Sequence, residues 1–224
     1  SFIVRVLLWL AAATYATRLD VTQGKVRLTR ASDGARVDVS ENHYAVASAG
    51  VHLAALPATS GILREYWTNL PGRFVRDLEK DRRYPNQPDG SDLLKNFEAP
   101  PDWGDNYGAR FRGYVHPPVT GDYTFWIAGS TGFFLYVSPD DDPAGVVCVC
   151  YGGNTLPRDF DRPQANEKAN KSNPIRMVAG RRYYIEALLK ADVGDDHLSV
   201  AWRIPGRERE VIPGEFLSPF KPKK

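Results

Sequence analysis

Cysteine is scarce in this chain, with two in 224 residues, and a disulfide framework is thereby excluded. Both lie in VVCVCYGG, where Cys148 and Cys150 stand two apart. That spacing puts them on one face of an extended strand, a geometry that strains a direct bridge. They read as packed free thiols, because no CxxC spacing and no clustered histidine joins them. An excess of one charge is missing too: Lys+Arg 29 against Asp+Glu 27 leaves +2. No long basic block is interleaved with aromatics, so nucleic acid is not an expected partner, and the KPKK at 221–224 reads as a short solvated tail. Catalytic spacing is also lacking. His43, His52, His116 and His197 form neither HxxxH nor HExxH, no G-x-S-x-G occurs, and no glycine-rich cradle opens a helix. On those grounds the chain is expected not to be an enzyme. Hydrophobic content of 42% with interspersed charge describes a globular protein, long enough for one large β domain or a small one plus a medium one.

Long apolar runs are rare, and the one present opens the sequence. SFIVRVLLWLAAATYATRL is apolar at nearly every position from Phe2 to Ala16, with Arg5 inside. As a helix it would reach about 22 Å against roughly 30 Å of hydrocarbon, so no transmembrane span is expected. It has the shape of a secretory leader, with Arg5 early and TYA before a candidate cut. Read instead as residues 1–16 of extended chain, one face carries Phe2, Val4, Val6, Leu8 and Leu10 and the other is mixed. Such a strand can complete the β fold of its own chain or of a neighbouring copy.

From Thr17 to Ala55 short alternating segments are punctuated by turn residues: RLDVTQGKVRLTR around Gly24, then SDGARVDVS, then HYAVAS. The T-R-L-x-V-x-x-G-x-V-R-L-T-R run followed by G-x-x-V-x-V resembles the last strands of FecR-like sensor domains, which marks 17–55 as a small β module lacking its first half. ALPATSG reads as a linker, centred on 56–60. Beyond it GARFRGYVHPP, GDYTFWIAG, FFLYVS, AGRRYYIEALLK and HLSVAWRIPG alternate and end at Gly or Pro, the pattern of a β-sandwich. One helix is expected in RFVRDLEKDRR, bounded by Pro71 and Pro85. Tyr66, Trp67, Tyr123, Phe125, Trp126, Tyr183 and Trp202 are expected in or beside the core.

GILREYW, NFEAPPDWGDNYGARFRGYVHPPVTGDYTFWIAG, FFLYVSPDDDPAG, IRMVAGRRYYIEALLKADVGDDHLSVAWRIPG and VIPGEFLSPF together resemble, over 61–220, the PA-14 family of β-sandwich domains found in adhesins, glycosidases and toxins. The resemblance implies an all-β protective-antigen-type sandwich preceded by the small antiparallel module and the apolar N-terminal strand. It also implies a site. Glycan-binding members place two consecutive Asp residues in the loop after the YTFWI strand, where Ca²⁺ is held and takes sugar hydroxyls. Here Thr131 and Gly132 occupy that place, which removes two anionic donors from a cation that needs several hard oxygen ligands. No cofactor is expected, with Ca²⁺ the one ion to consider.

Other chemistry-bearing residues are few. Asp140, Asp141 and Asp142 form an acidic run that is either an ordinary turn or a metal site. Asp195, Asp196 and His197 precede the last long strand, as a polar turn or a glycan-contacting loop. Trp103 in PPDWGDN is expected to be exposed and to serve as a sugar platform. Asn170 opens an N-x-S glycosylation acceptor in a segment expected to be exposed. Two main functional readings follow. In the first the chain is a non-enzymatic subunit of an extracellular filament, polymerising head to tail with copies of itself through Phe2, Val4, Val6, Leu8 and Leu10. In the second it is a glycan-binding, adhesin-like module of a bacterial surface or secreted protein. A sensor ectodomain is a third reading, on the FecR-like strands alone.

Overall fold

The computed structural model describes residues 17–47, 53, 55–162 and 170–221. The candidate assembly strand at Phe2, Val4, Val6, Leu8 and Leu10 lies outside them, as do His52 and most of the basic tail. The first module contains β1 (Thr17–Val21), β2 (Lys25–Thr29), β3 (Arg36–Ser40), β4 (His43–Ala47) and β5 (Ala55–Pro57). β1, β4 and β5 form one antiparallel sheet in the order β1-β4-β5, and β2 and β3 a hairpin. Alternation in β2 turns Val26 and Leu28 inward and Lys25, Arg27 and Thr29 outward. The inward side chains close over a small core of Leu19, Val21, Val39, Ala45 and Leu53.

Ala55–Pro57, expected within the linker, is a strand instead. β5 is the edge of its sheet, where proline's missing N–H is tolerated. Leu56 packs against the core of the following domain while Ala55 packs on that of the first, so the segment joins two cores rather than spacing them.

The larger domain runs through β6 (Ile62–Trp67), α1 (Val75–Glu79), β7 (Gly90–Leu94), β8 (Tyr107–Val115), β9 (Gly121–Gly129), β10 (Gly132–Val137), β11 (Val147–Gly152), β12 (Ile175–Met177), β13 (Tyr183–Ala191), β14 (Leu198–Arg203), β15 (Arg209–Val211) and β16 (Leu217–Pro219). One sheet has the order β11-β10-β13-β8-β6-β7, and β16 pairs with β8 over Gly113–Val115, beyond the end of β6. The other is β12-β9-β14-β15. They sandwich a core to which β8 sends Tyr107, Ala109, Phe111 and Val115, β9 sends Tyr123, Phe125 and Ile127, β13 sends Ile185, Ala187 and Leu189, and β14 sends Leu198, Val200 and Trp202. Every second residue therefore faces inward, as the period of a strand requires. Trp202 is fully buried among Tyr123, Phe125 and Phe216, with ring centroids 5.3, 6.4 and 5.3 Å away. Each side chain of this size contributes about 1.5–3 kcal/mol by leaving water.

The outer faces are covered as well. Val75 and Leu78, the buried positions of the expected helix, pack with Trp67 and Leu188, and Trp126 packs with Phe160 and Ala201. Beside α1, the Glu65 carboxylate accepts from Arg110 Nε at 2.9 Å and from Arg112 Nε and Nη2, both at 2.8 Å. The expected aromatics are all buried or half-buried. The cysteines depart from expectation. The β10–β11 register shifts between Leu135 and Tyr136, and this irregularity breaks the strict alternation, leaving Cys148 exposed and Cys150 buried, both free. Among the described residues no helix is long and apolar enough to cross a membrane.

Candidate functional site

Three loops meet at one end of the sandwich: the β9–β10 turn, the segment after β11, and the turn before β14. Main-chain groups that end strands there need partners, and the neighbouring loops supply them. Gly129 N–H donates to Thr155 Oγ1 at 2.9 Å, and Thr155 N–H donates back to the Gly129 carbonyl at 3.1 Å. Ser130 N–H donates to the His197 carbonyl at 3.0 Å, while His197 N–H reaches Ser130 Oγ at 3.4 Å. Thr131 takes a left-handed φ of +54° and its N–H donates to Asn154 Oδ1 at 3.2 Å. The chain passes so close here that a Cβ on Gly153 would lie 2.1 Å from the Thr131 carbonyl oxygen. Glycine is required for that approach.

The turn before β14 is fastened from below. Asp196 is buried; its Oδ1 accepts from Trp103 N–H at 2.6 Å and its carbonyl from Asp102 N–H at 2.9 Å. The remaining oxygen, Oδ2, lies beside the Tyr107 hydroxyl. Burial, and then the neighbouring carboxylate, drive that phenol far above its usual range. Trp103 packs against Tyr66 at 4.5 Å and Tyr107 at 4.8 Å, under the Arg64 guanidinium at 4.5 Å. Arg64 is itself buried and paired with Asp92 at 2.6 Å. His197 is buried, and its desolvation lowers the imidazole pKa.

Next to these loops lies a groove of about 460 Å³, bounded by Leu94–Asn96, Glu98–Pro101, Pro157, Arg158, His197 and Ser199. Its polar centre is a fixed triad. Glu98 Oε1 accepts from Arg158 Nε at 2.7 Å and Ser199 Oγ at 2.8 Å, and Oε2 accepts from Arg158 Nη2 at 2.6 Å. Arg158 spends two of its five donors in this fork. Ala99, Pro100, Pro101 and Pro157 give the walls an apolar character.

Residues 59–215 match the family described as PA14 domain. The chain belongs to the PA14 domain family. Over 155 residues, 66% of the chain, it is 32% identical to the Mus musculus N-acetyl-beta-glucosaminyl-glycoprotein 4-beta-N-acetylgalactosaminyltransferase 1, of which it spans 14%. Among solved structures it superposes on a PA14 sugar-binding domain from an RTX adhesin with a TM-score of 0.53 at 13% identity, covering 72% of this chain and 99% of that one. The Epithelial Adhesin 6 A domain from Candida glabrata, in complex with Galb1-3GlcNAc, gives 0.52 at 14% identity, covering 74% and 89%. Those two structures share the fold. The mouse relative corrects one expectation: a protein containing a segment like this PA14 domain is a glycosyltransferase, so the lack of a catalytic motif does not make the chain non-enzymatic. The family match starts at residue 59, so the FecR-like reading of 17–55 rests on its own sequence run. Neither the mouse protein nor the Candida glabrata domain supports a bacterial origin.

Within this PA14 domain the expected site residues separate. Thr131, Asp196 and His197 come together in the cross-bonded loops, while Asp195 points to solvent. Gly132 faces the Arg73–Val75 backbone beneath α1. Trp103 is half-buried by Tyr66, Tyr107 and Arg64 and is not an exposed platform. Its N–H partner Asp196 draws it inward. Asp140, Asp141 and Asp142 do not converge: Asp140 Oδ1 accepts from Asp142 N–H at 2.8 Å, Asp142 Oδ1 from Ala144 N–H at 3.0 Å, and Asp141 pairs with Arg182 at 2.8 Å. They form a turn, and no group of three His, Cys, Asp or Glu able to hold a metal occurs among the described residues. Asn170 is buried, its Nδ2 donating to the Phe160 carbonyl at 3.0 Å and its own carbonyl accepting from Ile127 N–H. An amide so engaged is not open to glycosylation in the folded chain. Calcium does not fit the β9–β10 turn either, since no carboxylate lies there and Asn154 Oδ1 already accepts from a main-chain N–H. Ser130, Asn154, Thr155, Glu98 and Arg158 escaped the sequence reading. Asn154 in GGNTLP, a turn tripeptide after a strand, was the one local signal.

Proposed function

We propose that this PA14 domain is a glycan-binding module of an extracellular or cell-surface protein, and that the groove around Glu98, Arg158, Ser199 and His197 is where the glycan sits. The observation that carries this reading is the Glu98–Arg158–Ser199 triad in an apolar-walled groove. Planar, pre-fixed carboxylate and guanidinium groups exchange hydrogen bonds with neighbouring sugar hydroxyls, and proline and alanine walls take the C–H face of the ring. The cross-bonded loops hold the triad in place, so little ordering remains for the bound state to bear. Two neighbours bear on the choice of ligand. One is a transferase named for N-acetyl-β-glucosaminyl glycoproteins, the other a complex with Galb1-3GlcNAc. The ligand proposed is accordingly a neutral glycan carrying N-acetylglucosamine, bound without calcium because the β9–β10 turn lacks carboxylates.

Calorimetric titration with N-acetylglucosamine-terminated and Gal-GlcNAc oligosaccharides, with calcium and with a chelator, tests this. Binding that is the same in both conditions and falls roughly tenfold or more in Glu98→Gln is expected. Absence of binding across a glycan array in either condition would sink the reading.

A further inference from the structure

A second concavity lies where the first module meets the sandwich, far in sequence from the groove just described. Alternation along the β2–β3 hairpin sets Lys25 and Arg27 on the same outer face as Arg36, Asp38 and Ser40, with Arg27 opposite Asp38 and Lys25 opposite Ser40. That polar face looks across a cleft of about 540 Å³ onto Pro118, Ala179 and Gly180 of the sandwich. A smaller cleft of about 210 Å³ continues it past His43 and His116 to Arg181 and Arg182. The two share Asp38, Ser40, Ala55 and Gly180, so they form one trough.

Its charge is one-sided. Lys25, Arg27, Arg36, Arg181 and Arg182 line it against the single carboxylate Asp38. Asp38 is already shared between Arg27 at 2.7 Å and Lys25 at 3.1 Å, and Arg182 is held from outside by Asp141 at 2.8 Å. Arg36 and Arg181 have no carboxylate partner among the described residues. Unanswered guanidinium groups in a concave site are receptors for oxyanions. The volume falls within the range of small-molecule sites, roughly 300–1,000 Å³, and junctions between domains are where such sites occur. Five cations spread over both walls suit several anionic groups on one extended ligand rather than a lone oxyanion. The floor of the larger cleft is Val37, Leu53, Ala55, Pro118 and Ala179, with no aromatic ring on which a nucleobase could stack. A concave trough also fits a flat bilayer poorly.

We propose that this trough binds an acidic oligosaccharide, one bearing sulfate or carboxylate groups, at a site separate from the neutral-glycan groove. The test is calorimetric titration of the full chain with a heparin-derived hexasaccharide at about 0.05 M and about 0.5 M salt, beside inorganic sulfate as a competitor. The variants are Arg36→Glu/Arg181→Glu and, with the same charge change on exposed residues at α1, Arg73→Glu/Arg76→Glu. Expected is salt-sensitive binding that falls at least roughly tenfold in the first double variant and stays within about twofold in the second, with unchanged melting for both. No binding at low salt, an equal loss in both variants, or displacement by inorganic sulfate at matched sulfate-group concentration would each overturn it. Loss of neutral-glycan binding in Glu98→Gln leaves this result untouched, so the two readings fail separately.

Discussion

The module before residue 58 and the sandwich after it are both built from short antiparallel strands, yet they close their cores differently. The module buries Leu19, Val21, Val39, Ala45 and Leu53, and no ring is among them. The sandwich buries Tyr107, Phe111, Tyr123, Phe125 and Trp202 between two sheets and adds covered clusters on both outer faces. Burial scales with the size of the side chains and of the domain, so among the described residues the sandwich gains far more from burial than the module does. The module also leans on its neighbour: Leu56 packs against the sandwich core, and His43 meets His116 at 5.5 Å. His116 is buried with its Nε2 2.8 Å from Ser218 Oγ, and burial, with His43 and Arg182 nearby, lowers its pKa to about 3.

The largest effect should come from removing the ring at the centre of the sandwich. Trp202→Ala is expected to lower stability by about 3–5 kcal/mol, read as a shift in the urea midpoint of the main unfolding transition. A loss below about 1 kcal/mol would mean that the aromatic core is not what holds the larger domain. Next in size is Asp196→Ala. It leaves Trp103 N–H without its side-chain acceptor, while the bond from Asp102 N–H to the main-chain carbonyl of residue 196 remains, at a cost of about 1–3 kcal/mol. Because the turn before β14 positions His197, neutral-glycan affinity should fall with it; intact affinity would separate the turn from the site. Val39→Ala sharpens the contrast from the other side. Loss of its buried methyl groups should cost about 1.5 kcal/mol, confined to amide exchange in β1–β5, with β8, β9 and β13 unaffected. Spread of that loss into the sandwich would show that the two cores unfold as one.

How much of this could be read from the sequence follows the same division. In β9, G-D-Y-T-F-W-I alternates cleanly enough to place Tyr123, Phe125 and Ile127 inward, and the helix at Val75 and Leu78 was marked by its spacing and flanking prolines. Strand periodicity is local, so it survives in the sequence. The groove is not local. Glu98 meets Ser199 across 101 positions, Ser130 meets His197 across 67, and Gly129 meets Thr155 across 26. No pattern within one segment announces such pairings. Trp103 misled for a related reason, since PPDWGDN has the composition of an exposed loop, and only the distant Asp196, 93 positions away, turns it inward. The cysteines were misplaced because a one-residue irregularity resets alternation without any glycine or proline to mark it.

The smallest expected effect lies at the exposed rim of the sandwich, where the Glu98–Arg158 pair tests whether the groove is fixed by charge or by loops. Arg158, with Ser199 assisting and partial burial opposing, holds the Glu98 carboxyl below its ordinary value of 4.5. A carboxyl whose folded pKa is depressed stabilises fully above the unfolded value, and that contribution disappears as pH falls through the lower folded value. Arg158 is 61% exposed, so water screens the pair and its worth is about 0.5 kcal/mol. The stability difference between the native chain and Glu98→Gln should therefore be flat from neutral pH down to about 5 and shrink below 4.5. Measured by urea unfolding across that range, a difference that grows on acidification would reverse the sign and remove Arg158 as the partner. A flat difference throughout would assign the groove's shape to the Gly129–Thr155 and Ser130–His197 hydrogen bonds alone.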